Sequence, residues 1–411
     1  MRALVLSGGG TRGAFELGVI KALKEREAYQ FDLICGTSVG ALNALFLVQG
    51  DWDKMKEMYA CLTRDQIIQN FIPDDWQIRT IIEQRKHLSN SIREYFQQKG
   101  LDVTPLKKMI DDYYDEEKFF SSPIDFGIVV ARAKDKSGVY VNKEMMKTHG
   151  KQWLLASASA YPAFPVCTIE GQDYIDGGYF DNVPVDCALQ KGADELVVVD
   201  LGAKVSHPEC LGVPFITYIH PHVELPNFLE FNADMMMRNQ RLGYLEARKA
   251  LGDYEGYHYT FQLFPIPKFF RGFFVNLLRY ERKIEIIHTR SSHIKAGYIQ
   301  EKAVTFSLEK QLDEKGLCVS LLEEVMDLAD FNDEIVYTFE DVKKELLITF
   351  KKAILGQIPC KKKKRVTSKE AFEFFLQAKI SGNEWMSEEK ALDFYPNEYV
   401  LVQFFIEMMK G

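Results

Sequence analysis

The chain has 411 residues, 46% apolar and 27% charged, which exceeds the usual reach of one hydrophobic core and suggests two domains or one large domain with an appendage. A formal net charge of -8 argues against a nucleic-acid partner and leaves little general attraction to anionic membranes. Seven scattered cysteines, none in Cys-x-x-Cys spacing, argue against a disulfide framework or a structural zinc site and for a reducing compartment. The opening MRALVLSGGG is too short in apolar residues for a signal-peptide core. No apolar run reaches the ~18 residues that a membrane span requires. The expectation is a soluble, cytoplasmic protein, at most peripheral to a membrane.

The first two hundred residues alternate short apolar runs with helical patterns, the signature of a sheet covered by helices. RALVL (2–6) and FDLIC (31–35) read as strands that end at glycine turns. Between them, 14–26 places Phe15, Leu17, Val19, Ile20 and Leu23 at amphipathic-helix spacing. Residues 41–50 continue as a second helix, and 51–121 is charged and helical in pattern, with Thr104-Pro105 reading as an N-cap and first helical position. Further strands are expected at 126–131, 138–142, 173–176 and 195–200. Beyond about 205 the texture changes: 226–250 reads as a Met- and Arg-containing helix, and 261–280 is unusually aromatic. Helices are expected at 319–330, 339–354, 368–379 and 397–410. These shifts suggest a catalytic domain over 1–205, a helical and aromatic extension over 206–300 that packs on the catalytic domain, and a mainly helical region over 301–411.

Three motifs carry chemistry. The loop Gly8-Gly9-Gly10-Thr11-Arg12-Gly13 follows the first strand and opens the first helix. It matches G-x-G-x-x-G, so it could cradle a dinucleotide pyrophosphate, or the oxyanion of an acyl transfer. A dinucleotide fold needs its acid at the far end of the second strand, whereas Asp32 stands at that strand's start. The far end carries Gly36-Thr37-Ser38-Val39-Gly40 instead, a G-x-S-x-G turn between strand and helix that would present Ser38 as a nucleophile. None of the eight histidines sits in a motif-like setting. The best proton acceptor is therefore a carboxylate, Asp176, at the end of an apolar strand and followed by Gly177 and Gly178. Taken alone, that Asp-Gly would read more readily as a turn closing a β-hairpin.

GGGTRG (8–13), GTSVG (36–40) and DGG (176–178), in this order, closely resemble the signature set of the patatin-like phospholipase family. ASASAYPAFP (156–165) resembles the segment that precedes the aspartate in that family, and the resemblance covers about residues 1–205. It implies a three-layer α/β/α sandwich with a mostly parallel central sheet, followed here by a mainly helical C-terminal region. It further implies a Ser38–Asp176 dyad without histidine, lipid or other acyl-ester substrates, and no metal or cofactor. On this reading the glycine loop forms the oxyanion hole, with Gly9 and Gly10 the leading N–H donors and Thr11 a third. The same acyl-enzyme could serve an acyltransferase, and a lipid-binding module with a vestigial dyad is the non-enzymatic alternative.

Four features leave their readings open. Arg12 could hold a lipid phosphate, orient the loop through carbonyl contacts, or pair with a structural carboxylate. His220-Pro-His222-Val-Glu224 could supply metal ligands but reads more readily as a surface loop. The aromatic run 269–283 suits either a peripheral membrane contact or a packing interface. KKKKR (361–365) reads as a solvated connection.

Overall fold

Continuous apolar runs make strands that are buried on both faces, and β1 (Arg2–Leu6) and β2 (Leu33–Thr37) follow that rule. The computed structural model describes residues 1–26, 30–68, 101–288, 314–359, 366–382, 386, 390–391 and 394–410, without the side chains of 280–288. They form two units, Met1–Leu251 and Gly252–Gly411.

In the first unit β1 and β2 are joined by β3 (Asp125–Arg132), β4 (Gly138–Asn142), β5 (Cys167–Ile169), β6 (Gln172–Asp176), β7 (Glu195–Val199) and β8 (Ile216–Ile219). The sheet order is β5-β6-β3-β2-β1-β7-β8, with β4 pairing β3. The run from β3 through β8 is parallel, while β4, β5 and β6 are antiparallel to their neighbours. Helices cover both faces: α1 (Ala14–Lys24), α2 (Val39–Val48), α3 (Trp52–Cys61), α4 (Thr104–Tyr113), α5 (Glu116–Ser121), α6 (Gly150–Ser157), α7 (Val185–Gln190) and α8 (Ala233–Ala250).

Side chains alternate along each strand, so one sequence feeds two cores. Leu4, Leu6 and Ile34 pack with Phe15 of α1, Leu45 of α2 and Leu154 of α6. Ala3, Val5, Leu33 and Cys35 face the opposite way, against Val185 and Ala188 of α7. This is a three-layer α/β/α arrangement.

Residues 206–251, the first part of the expected extension, group with this unit. The physical reason is backbone contact between α1 and α8. A methyl group at Gly18 would lie 1.9 Å from the Gln240 carbonyl oxygen, and one at Gly243 would lie 2.0 Å from that of Phe15. The expected helix at 226–250 begins only at Ala233, where Asn232 caps it by accepting from Met235 N–H. Thr104 is the first helical residue rather than the cap; Val103 holds that place.

The second unit has a small sheet of β9 (Tyr254–Glu255), β10 (Thr260–Gln262) and β11 (Val336–Tyr337). Around it stand α9 (Lys268–His288), α10 (Glu314–Leu328), α11 (Phe339–Thr349), α12 (Ser368–Ser381) and α13 (Pro396–Lys410). Its core is aromatic: Phe270, Phe273, Phe350, Phe372, Phe404 and Phe405 are fully buried. Phe269 and Phe274 pack against the same core. These four phenylalanines of the 269–283 stretch therefore serve packing. No described helix is long and apolar enough to cross a membrane. The KKKKR run and the expected boundary at 300 lie outside the described residues.

Candidate active site

Two side chains far apart in sequence meet because β3 lies between their strands. Thr37 of β2 pairs with Val129, and Asp176 of β6 pairs with the next residue, Val130. Ser38 and Asp176 thus emerge on either side of one dipeptide. Ser38 has φ 55° and ψ −122°, a conformation that costs a non-glycine residue about 1–3 kcal/mol and persists only where its surroundings impose it. They do so here: Ser38 N–H donates to Ser157 Oγ at 3.0 Å, and the Ser157 hydroxyl donates to the Val129 carbonyl at 2.7 Å.

The elbow glycines are required by contact. A methyl group at Gly36 would lie 2.3 Å from the Gly40 oxygen, and one at Gly40 would lie 2.4 Å from the Leu6 oxygen. Strand, turn and helix cannot close around Ser38 with side chains at those two positions.

Asp176 is buried, with its N–H donating to Ser159 O at 2.8 Å and its Oδ1 accepting from Gly178 N–H at 2.8 Å. Burial pushes its carboxyl pKa up to about 6, while hydrogen bonding from the Ser38 side chain and from Gly178 draws it back. Such a carboxyl is ionised at neutral pH, yet it is a stronger base than an exposed aspartate. Gly177 lies against the β3 backbone, where a methyl group would be 2.2 Å from Val129 O.

The glycine loop wraps over the same strand ends. Gly8 N–H donates to Asn182 O at 2.9 Å, and Asn182 Nδ2 donates back to Gly8 O at 3.1 Å, so the loop is stitched to the segment after Gly178. Thr11 N–H donates to Phe228 O at 2.8 Å and is committed there. Among the described residues, the Gly9 and Gly10 N–H groups have no acceptor. Arg12 donates from Nε to Pro226 O at 2.7 Å. Gly13 faces Tyr59 and Val39, and stands at the entry to α1.

Gly8 to Arg12, Ser38, Asp176 and Gly178 line one cavity of about 320 Å³, whereas Gly13, Gly36, Gly40 and Gly177 shape the backbone around it. Its remaining wall is largely apolar, including Val39, Leu42, Leu62, Ile67, Leu106 and Phe164. That volume is at the small end of ligand pockets.

Sequence reasoning missed several supports. Ser157 lay within the ASASAYPAFP segment, but its bond to Ser38 N–H depends on the pairing of β2 with β3. Asn182 and the wall formed by Phe228, Leu229 and Phe231 had no motif to mark them. Below the loop, buried Glu16 accepts from Asn43 Nδ2 at 2.7 Å, and Tyr59 donates to Asn43 Oδ1 at 3.1 Å. Burial raises the Glu16 pKa to about 8, with the bond from Asn43 opposing that rise. His220 and His222 are not a surface loop: His220 is buried and His222 pairs with buried Glu246 at 3.0 Å. Among the described residues, no group of three or more His, Cys, Asp or Glu side chains is placed to hold a metal.

Fold and site define an α/β protein with a serine on a tight strand-to-helix turn, under a glycine loop at the parallel strand ends. Residues 4–189 match the patatin-like phospholipase family model, and this part of the chain is a domain of that family. Lysophospholipase NTE1 of Scheffersomyces stipitis is 28% identical over 204 residues, which are 49% of this chain and 12% of that relative. Patatin-like phospholipase domain-containing protein 7 of Rattus norvegicus is 27% identical over 209 residues, 49% of this chain and 14% of the relative. The chain thus matches only a small part of either relative's length. Among solved structures, VipD from Legionella pneumophila is similar over 99% of this chain and 90% of that one, at 15% identity and a TM-score of 0.39.

Proposed function

We propose that the chain is a lipid acyl hydrolase in which Ser38 is the nucleophile and Asp176 its general base. The observation that carries this reading is the meeting of a conformationally strained Ser38 with a buried, pKa-raised Asp176 at the floor of an apolar cavity. Asp176 accepts the hydroxyl proton as Oγ attacks the ester carbonyl. Gly9 and Gly10 N–H groups hold the tetrahedral oxyanion, where losing one such donor typically costs about 10²–10³ in rate. Asp176 then passes the proton to the leaving alcohol and activates water for deacylation. A small, apolar cavity favours a single-chain acyl ester such as a monoglyceride or a lysophospholipid, the latter in line with the name of the matched NTE1 relative.

Fluorophosphonate labelling with peptide mapping tests the nucleophile. The wild-type chain is expected to label at Ser38, and Ser38→Ala and Asp176→Ala to lose ester hydrolysis by at least about 10³-fold while still folding. Rates on a soluble ester should fall as pH drops through about 6, because protonated Asp176 cannot accept a proton. A parent-level rate in either variant overturns the dyad. A panel of phospholipids, lysophospholipids and neutral glycerides, with an alcohol acceptor present, separates the substrate classes and distinguishes hydrolysis from transfer.

A further inference from the structure

We infer that residues 226–229 latch the glycine loop in its oxyanion-binding form, and that Arg12 is the positioning residue of this latch rather than a binder of lipid phosphate. The inference rests on the reading of Ser38 as nucleophile. It adds a segment that lies beyond the matched family region, which ends at 189.

Three successive main-chain carbonyls of one strap accept from two successive loop residues. Arg12 Nε donates to Pro226 O at 2.7 Å, Thr11 Oγ1 to Asn227 O at 3.2 Å, and Thr11 N–H to Phe228 O at 2.8 Å. These bonds settle which loop donors remain for the substrate: the Thr11 N–H is consumed, and those of Gly9 and Gly10 are not. Contact between strap and loop is too close for a side chain. Gly10 has φ +58°, and a methyl group there would lie 2.0 Å from Phe228 O.

The strap is itself anchored from behind. It continues from β8 through His222, which pairs with Glu246 of α8 at 3.0 Å, and Lys249 closes that group at 2.9 Å. Leu225 is buried in the first-unit core. Helix α8 in turn touches the α1 backbone at Gly18 and Gly243, so both ends of the glycine loop's surroundings share one support.

The same strap contributes Phe228 and Leu229 to the cavity wall, with Phe231 just beyond. An acyl chain seated against these side chains presses on the segment whose carbonyls hold the loop. Binding energy from a part of the substrate remote from the ester can thereby stabilise the donor geometry. Arginine suits the latch because its planar guanidinium fixes the direction of the Nε–H bond, which a lysine ammonium cannot reproduce.

The test is steady-state kinetics of Arg12→Lys and Arg12→Gln on three esters: lysophosphatidylcholine, a monoglyceride of the same chain length, and a nitrophenyl ester. Alongside it, hydrogen exchange is followed at peptides covering 9–13 and 226–232, and fluorophosphonate labelling is timed. A latch predicts that kcat falls about 10- to 100-fold on all three esters, short of outright donor loss. KM should stay within about threefold, lysine should not rescue, and exchange should quicken in both peptides. A loss confined to the phosphate-bearing ester, rescue by lysine, or unchanged exchange overturns the latch. Arg12→Lys keeps the charge and alkyl stem, so it decides the matter even if the glutamine variant does not fold. Failure of the wild-type chain to label at Ser38 removes the nucleophile reading itself, an outcome distinct from any of these.

Discussion

The elbow at 36–40 and the glycine loop at 8–13 stand at the ends of two paired parallel strands, yet they are held in different ways. In the elbow each glycine presses on nearby main chain: Gly36 on Gly40, and Gly40 on Leu6 of the neighbouring strand. The loop is instead held by Asn182 on one side and by the carbonyls of Pro226, Asn227 and Phe228 on the other. The elbow is constrained mainly by its own five residues and the strand beside it, with Ser157 as an added support. The loop borrows its shape from residues that no local pattern connects to it.

That contrast predicts unequal responses to the smallest possible insertion. At Gly36 an added methyl meets Gly40 backbone at 2.3 Å, and no side-chain rotation relieves it. Gly36→Ala is expected to lose about 3 kcal/mol or more of stability, together with Ser38 labelling. At Gly10 the obstruction is the strap carbonyl, and φ +58° adds strain. Gly10→Ala should therefore push the strap away, with a large loss of rate and a smaller loss of stability. Thermal melts and fluorophosphonate labelling of both variants check this, and equal destabilisation would erase the distinction.

Glu16 sharpens the comparison from beneath, since it joins the loop's helix to the elbow's helix through Asn43. Its pKa is raised from 4.5 to about 8, so the folded state holds a proton that the unfolded state releases. Stability must then fall as pH rises from about 4.5 to about 8 and level off above that window. Glu16→Gln, which mimics the neutral acid, should flatten this slope and be more stable than the parent at pH 8 by about 1–3 kcal/mol. Glu16→Ala, which removes the shorter of the two Asn43 Nδ2 bonds and leaves that to Gly13 O at 3.4 Å, should cost about 2–3 kcal/mol at pH 5. Chemical denaturation across this pH range reads both.

Legibility followed the range of the interactions. The strands at 2–6 and 138–142 were readable to the residue, because buried parallel and edge strands announce themselves by apolar content and flanking turns. The motifs around Ser38 and Asp176 were readable because the backbone there needs glycine, and glycine is visible in a sequence. The 226–231 segment resembled the start of a helix in composition, but the carbonyls of Pro226, Asn227 and Phe228 accept from the loop, and helix begins only once Asn232 caps it. His222 looked exposed because its partner, Glu246, is contributed by a helix packed from elsewhere. The aromatic run at 269–283 fitted a lipid surface and a protein core equally well, since both reward the same side chains. The structure places Phe270 and Phe273 in the second-unit core, with Phe269 and Phe274 packed against it.

Ser157 offers the finest cut between the two ways of holding a loop, because among the described residues it is the one side chain outside the elbow that bonds the elbow's own backbone. Its hydroxyl accepts from Ser38 N–H and donates to Val129 O, and it is fully buried. Ser157→Ala removes both bonds at once and leaves a half-buried N–H and a buried carbonyl without that partner, a cost of about 1–3 kcal/mol. The glycine contacts remain, so the turn itself should persist. Labelling at Ser38 should survive, with the rate on a soluble ester lowered by about tenfold or less, within the range that ~1.4 kcal/mol of misplacement allows. If the rate fell as far as in Asp176→Ala, the elbow would not be self-supporting, and Ser38 would depend on a distant clamp just as the glycine loop does.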